Sequence, residues 1–347
     1  MTSVRSRRRH SVNFHPNRGV FSADPHILSS SYIVRKSRLR IFGLLLRSAF
    51  LALNKRLTSQ LLRAPPTILN FLREQHADTL LRHSFGSDVV IIRAYWHARR
   101  ACQWEPDDVV RFYQFLTSSY GRTSRFPTSS TFVSFPAYDK LELDGADTRE
   151  VLFALSQGRQ TLLPICDVDM SVADPRLVIR QHYQFPYAVS GWRRCERELE
   201  KTDMLPLFFM RRDGGVGVPI TEEGIDNAIM DSPTRIRATS LKVVTHLVGY
   251  PQKNSQIQLP RLQTGILPYI PSAKLAALVA GRVRAYILEI MDTVLPSEGN
   301  HTVGTRPGQI GIGDVVLCGV IFVSRGRIMP LLQVQPHSVQ GLSTTLL

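Results

Sequence analysis

The sequence predicts an α+β fold: a mixed or mainly antiparallel sheet with packed helices, preceded by a helical N-terminal region. Three observations predict it. Beyond residue 147, short β-like apolar runs alternate with turn residues and are joined mainly by hairpins. Within that region "SAKLAALVAGRVRAYILEIMDTV", 272–294, instead repeats its apolar residues with the 3.6-residue period of a helix. Residues 35–121 are dominated by helix-like stretches bounded by Pro65-Pro66 and Pro106. The expected organisation is a basic disordered tail over 1–34, a helical region over 35–121, a linker over 122–146 and an α+β domain over 147–347.

Composition sets the class. A chain of 347 residues, 43% hydrophobic and 20% charged, can bury a substantial core. Cys102, Cys166, Cys195 and Cys318 form no CxxC pair and no disulfide framework, which predicts free thiols and an intracellular, cytoplasmic or nuclear, location. No apolar run reaches the roughly 18 residues of a membrane-spanning helix. The net charge of +15 is unevenly placed: residues 1–73 hold 14 Lys or Arg and one acid, Asp24. The remainder holds 29 basic and 27 acidic side chains, so the body of the protein is close to neutral and its bulk charge does not argue for nucleic-acid binding.

Taken in order, the N-terminal 34 residues contain "RSRRRH", a triple serine and no apolar period, which predicts disorder. In 35–63, helical geometry places Lys36, Arg40 and Arg47 on one stripe and Ile41, Phe42, Leu45, Ala49 and Ala52 opposite. Such a basic amphipathic segment suits packing on the main domain beneath a solvated tail, which is the default expectation. It also suits mitochondrial import with cleavage, or an anionic membrane surface. "RSRRRH" suits a nuclear address or a nucleic-acid contact. Thr67 is placed to cap a helix running to about His83. Helices are expected over 88–104 and over 105–121, the latter with Pro106, Asp107 and Asp108 in its first turn. A loop with a short strand near "TFVSF" follows.

In the second half, "QTLLPICDV" (160–168) is expected to be one strand and 190–202 a helix. "PLFFMRR" and "VGVPI" should pair as a hairpin about Asp213-Gly214. β-like stretches occur in 235–248 and 255–259, then comes the 272–294 helix with Ser272 as N-cap and Leu275, Val279, Val283, Tyr286, Ile290 and Val294 as its buried stripe. "DVVLCGVIFVS" and "RIMPLLQVQ" close the chain as a strand pair about Arg325-Gly326.

The chemistry offered by motifs is thin. "RRDGGVGVPI" has Ile220 where a dinucleotide fingerprint needs its third glycine, and Pro219 where the helix should start, so it is read as a turn. "LLPICDVDMSV" resembles the first motif of the haloacid-dehalogenase phosphotransferases. That resemblance implies Asp167 and Asp169 as Mg²⁺ ligands, with Asp167 as nucleophile. Ser171 stands where that family favours Thr, Cys318 stands where the later Gly-Asp motif has its second Asp, and no lysine motif completes the set. Without that chemistry the two aspartates cap a turn at a strand end. HExxH, the nucleotide P-loop and the G-x-S-x-G elbow are absent. "RAYWHARRACQW" interleaves Arg93, Arg99 and Arg100 with Tyr95, Trp96 and Trp104. It is read as an aromatic core stripe with exposed arginines, the alternative being a base-stacking surface.

"LFFMRRDGGVGVPI", "VVTHLVGYPQKNSQIQL", "AKLAALVAGRVRAYI" and "VVLCGVIFVSRGRIMPLL" together resemble a group of uncharacterised proteins of mushroom-forming (basidiomycete) fungi over residues 206–332. Leu247-Val248 stands where that group tends to show Trp-Pro. The resemblance implies a glycine hairpin, a Gly-Tyr turn, a long helix and a closing strand pair. It marks Gly249, Tyr250, Gln256 and Ile257, and it implies no activity or cofactor. The expectation is therefore a non-catalytic intracellular binding or interaction protein. The alternatives are a metal-dependent phosphotransferase-like enzyme using Asp167 and Asp169, and a mitochondrially targeted protein.

Overall fold

A computed structural model describes residues 64–335 apart from 103–107, 124–130, 136–152, 157–158, 163–164, 172, 187–191, 233, 261, 264–267, 292 and 294–300. The expected basic tail and the basic helix over 35–63, with Lys36, Arg40 and Arg47, lie outside the described residues.

Four helices open the described chain: α1 (Pro66–Gln75), α2 (Leu80–Phe85), α3 (Ser87–Ala101) and α4 (Val109–Ser119). Pro66 occupies the first helical position of α1, where a missing N–H leaves no intrahelical bond unmade. The single helix expected from Thr67 to His83 is instead two. The chain turns at 76–78 because strand β5 (Ile165–Asp169) crosses there: Met170 N donates to the Asp78 carbonyl at 2.8 Å and Leu81 N donates to Asp167 Oδ1 at 3.1 Å. The helix expected over 105–121 begins at Val109, and Asp108 lies outside it as the cap, its side chain accepting from Arg111 N at 3.0 Å. Ile68, Leu72, Ala94, Ala98, Phe112 and Leu116 from these helices share one core with Val133 and Phe135.

Strands β1 (Gly121–Thr123) and β2 (Thr131–Ser134) join β5 in an antiparallel sheet ordered β1-β2-β5, and β3 (Phe153–Ser156) pairs with β4 (Arg159–Leu162). The single strand expected over 160–168 is thus divided between β4 and β5. β4 ends at Leu162 and β5 begins at Ile165, and the intervening sequence contains a proline, a residue type with no N–H to give a ladder.

The larger sheet follows helix α5 (Trp192–Lys201) and uses β6 (Leu207–Phe208), β7 (Val218–Pro219), β8 (Ser240–Thr245), β9 (Lys253–Gln258), β12 (Val315–Ser324) and β13 (Arg327–Val334). Between these lie the one-turn helix α6 (Ile225–Ala228), the short pair β10 (Leu262–Gln263) and β11 (Pro268–Tyr269), and the long helix α7 (Ser272–Ile290). Strand order is β6-β12-β13-β8-β9, with β7 also on β12. Every pairing is antiparallel except β13 with β8, so the sheet is mixed, as the sequence predicts.

Arms β6 and β7 pair with β12 rather than mainly with each other; a single bridge, Met210 to Val216, links them below the turn. At that turn Arg211 N donates to the Gly215 carbonyl at 2.8 Å, and Gly214 takes a φ of +86°, a conformation that glycine adopts without strain. Asp213 Oδ1 accepts from Gly215 N and pairs with Arg211. The glycine-rich stretch is therefore a bend docked on a sheet edge.

Helix α7 buries the predicted stripe Leu275, Val279, Val283, Tyr286 and Ile290 against Val243, Leu317, Ile328 and Leu332 of the sheet. Each such aliphatic side chain contributes about 2 kcal/mol through burial. Val294 lies outside the described residues. Ser272 is the first helical residue instead of the cap, which is Pro271. Its Oγ accepts from Ser232 N at 3.1 Å and donates to the Met230 carbonyl at 3.0 Å, so it ties α7 to the preceding loop.

Candidate functional site

The most enzyme-like motif of the sequence, Asp167-x-Asp169, lies at the end of β5, where the two-residue period of a strand puts both carboxylates on one face. Neither is free. Asp167 is fully buried; its Oδ1 accepts from Leu81 N at 3.1 Å and from Val168 N at 2.9 Å, and its Oδ2 lies 3.2 Å from His76 Nδ1. Asp169 is 5% exposed, forms an ion pair with Arg122 through Oδ2, and accepts from Ser171 N at 2.9 Å through Oδ1. Arg122 reaches on to the Gln75 carbonyl, so the D-x-D pair fastens β5 to the ends of α1 and α2. Among the described residues no group of three His, Cys, Asp or Glu side chains is arranged to hold a metal ion.

Thiol chemistry beside this pair is suppressed. Burial, reinforced by the neighbouring Asp167 charge, raises the Cys166 thiol far above its ordinary range, so it stays protonated and is a poor nucleophile. Burial first, then the neighbouring Cys166 and Asp167, hold the Tyr120 hydroxyl well above its ordinary value. The Tyr120 ring packs edge-on to His76 at 5.7 Å.

Helix α3 carries the most unusual side chain of the region. Arg93 is 2% exposed, and its guanidinium donates to the carbonyls of Phe322 at 2.7 Å and Met204 at 2.6 Å and to the Tyr183 hydroxyl at 3.3 Å. This corrects the expectation that the arginines of "RAYWHARRACQW" are all exposed. Arg99 and Arg100 are exposed: Arg99 lies over the Trp96 ring at 5.1 Å, and Arg100 grips the carbonyls of Glu200 and Thr202. Tyr95 is half-buried, and Trp104 lies outside the described residues. His97, on the same face of α3 as Arg93, is buried with its ring 5.0 Å from that of Phe135. Burial lowers its pKa from 6.5 to about 3, which keeps the imidazole neutral.

Between these groups lies a small cavity lined by His76, Arg93, His97, Cys166, Met204 and Leu205, with room of about 10 Å³ for the centre of a water molecule. His76 Nε2 and Arg93 Nε are both buried without a hydrogen-bond partner among the described residues.

The residues marked by the fungal resemblance have structural roles. Tyr250 is buried and its hydroxyl accepts from Val303 N at 2.7 Å; Ile257 lies in the main core and Gln256 is exposed on β9. The sequence reading missed His76, because its partner Asp167 is 91 residues away and no local pattern joins them. Arg93 carried a signal: Val89, Val90, Trp96 and His97, its neighbours at three and four residues, all face the interior.

Compared with known protein families, with curated proteins and with solved structures, the chain matches none of them. Among the described residues no helix is long and apolar enough to cross a membrane.

Proposed function

We propose that the chain is a non-catalytic binding or interaction protein in which the Asp167-x-Asp169 strand end serves as an internal clasp. The observation that carries this reading is the engagement of both carboxylates by protein donors: Leu81 N–H and His76 on Asp167, and Arg122 and Ser171 N–H on Asp169. Phosphoryl transfer by a carboxylate requires one oxygen open to attack phosphorus and further oxygens facing Mg²⁺. A fully buried Asp167 whose two oxygens are already engaged meets neither requirement. An intracellular setting and kinship with the fungal group belong to the same reading. What favours these is the sequence resemblance over residues 206–332 and the four free thiols.

The test is a Mg²⁺ titration followed by calorimetry, together with p-nitrophenyl phosphate turnover by the intact chain. The expected result is no saturable Mg²⁺ binding and no turnover above that of Asp167→Asn. Mg²⁺-dependent turnover that Asp167→Asn abolishes would overturn the proposal.

A further inference from the structure

We infer that the cavity between α3 and β5 is a binding site for one water molecule, which joins His76 to Arg93. The inference rests on two orphan atoms of cavity-lining residues, His76 Nε2 and Arg93 Nε, each on a residue at least 97% buried. Either atom left without a partner forfeits the hydrogen bond that water gives it in the unfolded chain, so a ligand that satisfies both is favoured over a dry cavity.

Size and donor pattern select the ligand. The room of about 10 Å³ for a water centre corresponds to a single water molecule. Arg93 Nε–H is always a donor. Asp167 Oδ2 accepts from His76 Nδ1–H, which leaves Nε2 of the neutral ring as an acceptor. A water molecule accepts from Arg93 and donates to His76, and if the imidazole is protonated the same oxygen accepts from both. Water therefore fits either state of His76. An anion fits only the protonated ring, and it would be held close to the buried Asp167 carboxylate that His76 contacts. The Cys166 thiol, also lining the cavity, adds a weak third contact of the kind buried waters make.

The bound water completes a relay that runs from the Asp167 carboxylate through His76 and water to Arg93, and through Arg93 to the Phe322 carbonyl on β12. It connects the clasp on β5 to the main sheet by hydrogen bonds alone. That gives the cavity a structural purpose without requiring a catalytic one.

The experiment is a high-resolution crystal structure of the unmodified full chain, collected with and without a sodium bromide soak. The expected result is one ordered density peak within hydrogen-bond distance of both His76 Nε2 and Arg93 Nε, with no anomalous bromide signal there. A cavity without density, a direct His76–Arg93 hydrogen bond that closes it, or an anomalous bromide peak would each overturn the inference.

Discussion

Arg93 Nη1 donates a 2.7 Å hydrogen bond to the carbonyl of Phe322, joining helix α3 to strand β12 across 229 residues of sequence. The same guanidinium holds the Met204 carbonyl and the Tyr183 hydroxyl, so one buried side chain secures the helices, the main sheet and the segments that pass between them. Arg93→Met keeps much of the side-chain volume and removes every one of these donors. The expected loss is about 3 kcal/mol of stability, because three acceptors lose a charged partner in the interior. Arg93→Lys, which keeps the charge without the planar fork, should lose about 2 kcal/mol. Urea denaturation followed by far-UV circular dichroism measures both, and an unchanged midpoint in Arg93→Met contradicts the assignment.

The Asp167 clasp separates by substitution. Asp167→Asn keeps an acceptor for Leu81 N–H but sets an amide NH2, itself a donor, against His76 Nδ1, for an expected cost of about 1–2 kcal/mol. Asp167→Ala strips Leu81 N–H and His76 of their partner together and should cost about 3 kcal/mol or more. Equal midpoints for the two variants in thermal unfolding would show that the hydrogen bonds are not what the carboxylate supplies.

Glycine positions give a contrast that requires no functional assay. At Gly319 an added Cβ would enter the contact distance of the Leu207 carbonyl oxygen and lie 3.0 Å from Phe208 Cα, both backbone atoms of the paired strand β6. Gly319→Ala should therefore destabilise by about 2–3 kcal/mol, as overpacking does in a core. Gly281, exposed in the middle of α7, has nothing within 4 Å of such a Cβ, and Gly281→Ala should stabilise by about 0.5–1 kcal/mol. A Gly319→Ala midpoint at or above that of the parent chain would refute the packing of β6 on β12.

The pH dependence follows from His97. Burial, opposed by the charge of Asp203 and aided by those of Arg100, Arg235 and Arg93, lowers its pKa from 6.5 to about 3. Between those values the unfolded chain binds a proton that the folded chain does not, so stability falls as pH drops from 6.5 towards 3. His246, lowered by burial to about 4 beside His182, acts in the same direction over the upper part of that window. Asp203 is pushed up by burial, yet the charge and hydrogen bond of Arg235 hold it below its ordinary 3.8, so its contribution is lost only in more acidic solution. His97→Phe is expected to flatten the slope of stability between pH 6.5 and 4, measured by denaturation at several pH values. A slope as steep as that of the parent chain would show that His97 is not buried as a neutral ring.

Legibility from sequence followed the range of the interaction. Helix α7 and the β12–β13 pair are legible almost to their ends, because a 3.6-residue stripe and two long apolar runs about Arg325-Gly326 are local signals. The split of α1 from α2 is not legible in the sequence: the turn at 76–78 meets the Asp167 carboxylate of β5 and the Met170 N–H just beyond that strand, some 90 residues later. Ser272 and Asp108 show the same limit at smaller scale. Their residue types announce a helix end, and only the neighbouring chain decides which atom each one serves.

The sequence by itself determined the α+β class, the period of each long element, the bend at Asp213-Gly214 and the near-neutral charge of the body beyond residue 73. These depend on dihedral preference, periodic burial and composition, all written within a few residues of each other. The tertiary structure decided what the polar groups do. It buried Arg93 against backbone carbonyls, and it turned Asp167 and Asp169 from an apparent metal-binding pair into the partners of His76, Leu81, Arg122 and Ser171. A buried polar atom must find its partner wherever the fold brings one, and for these residues most of the partners lie dozens to hundreds of positions away.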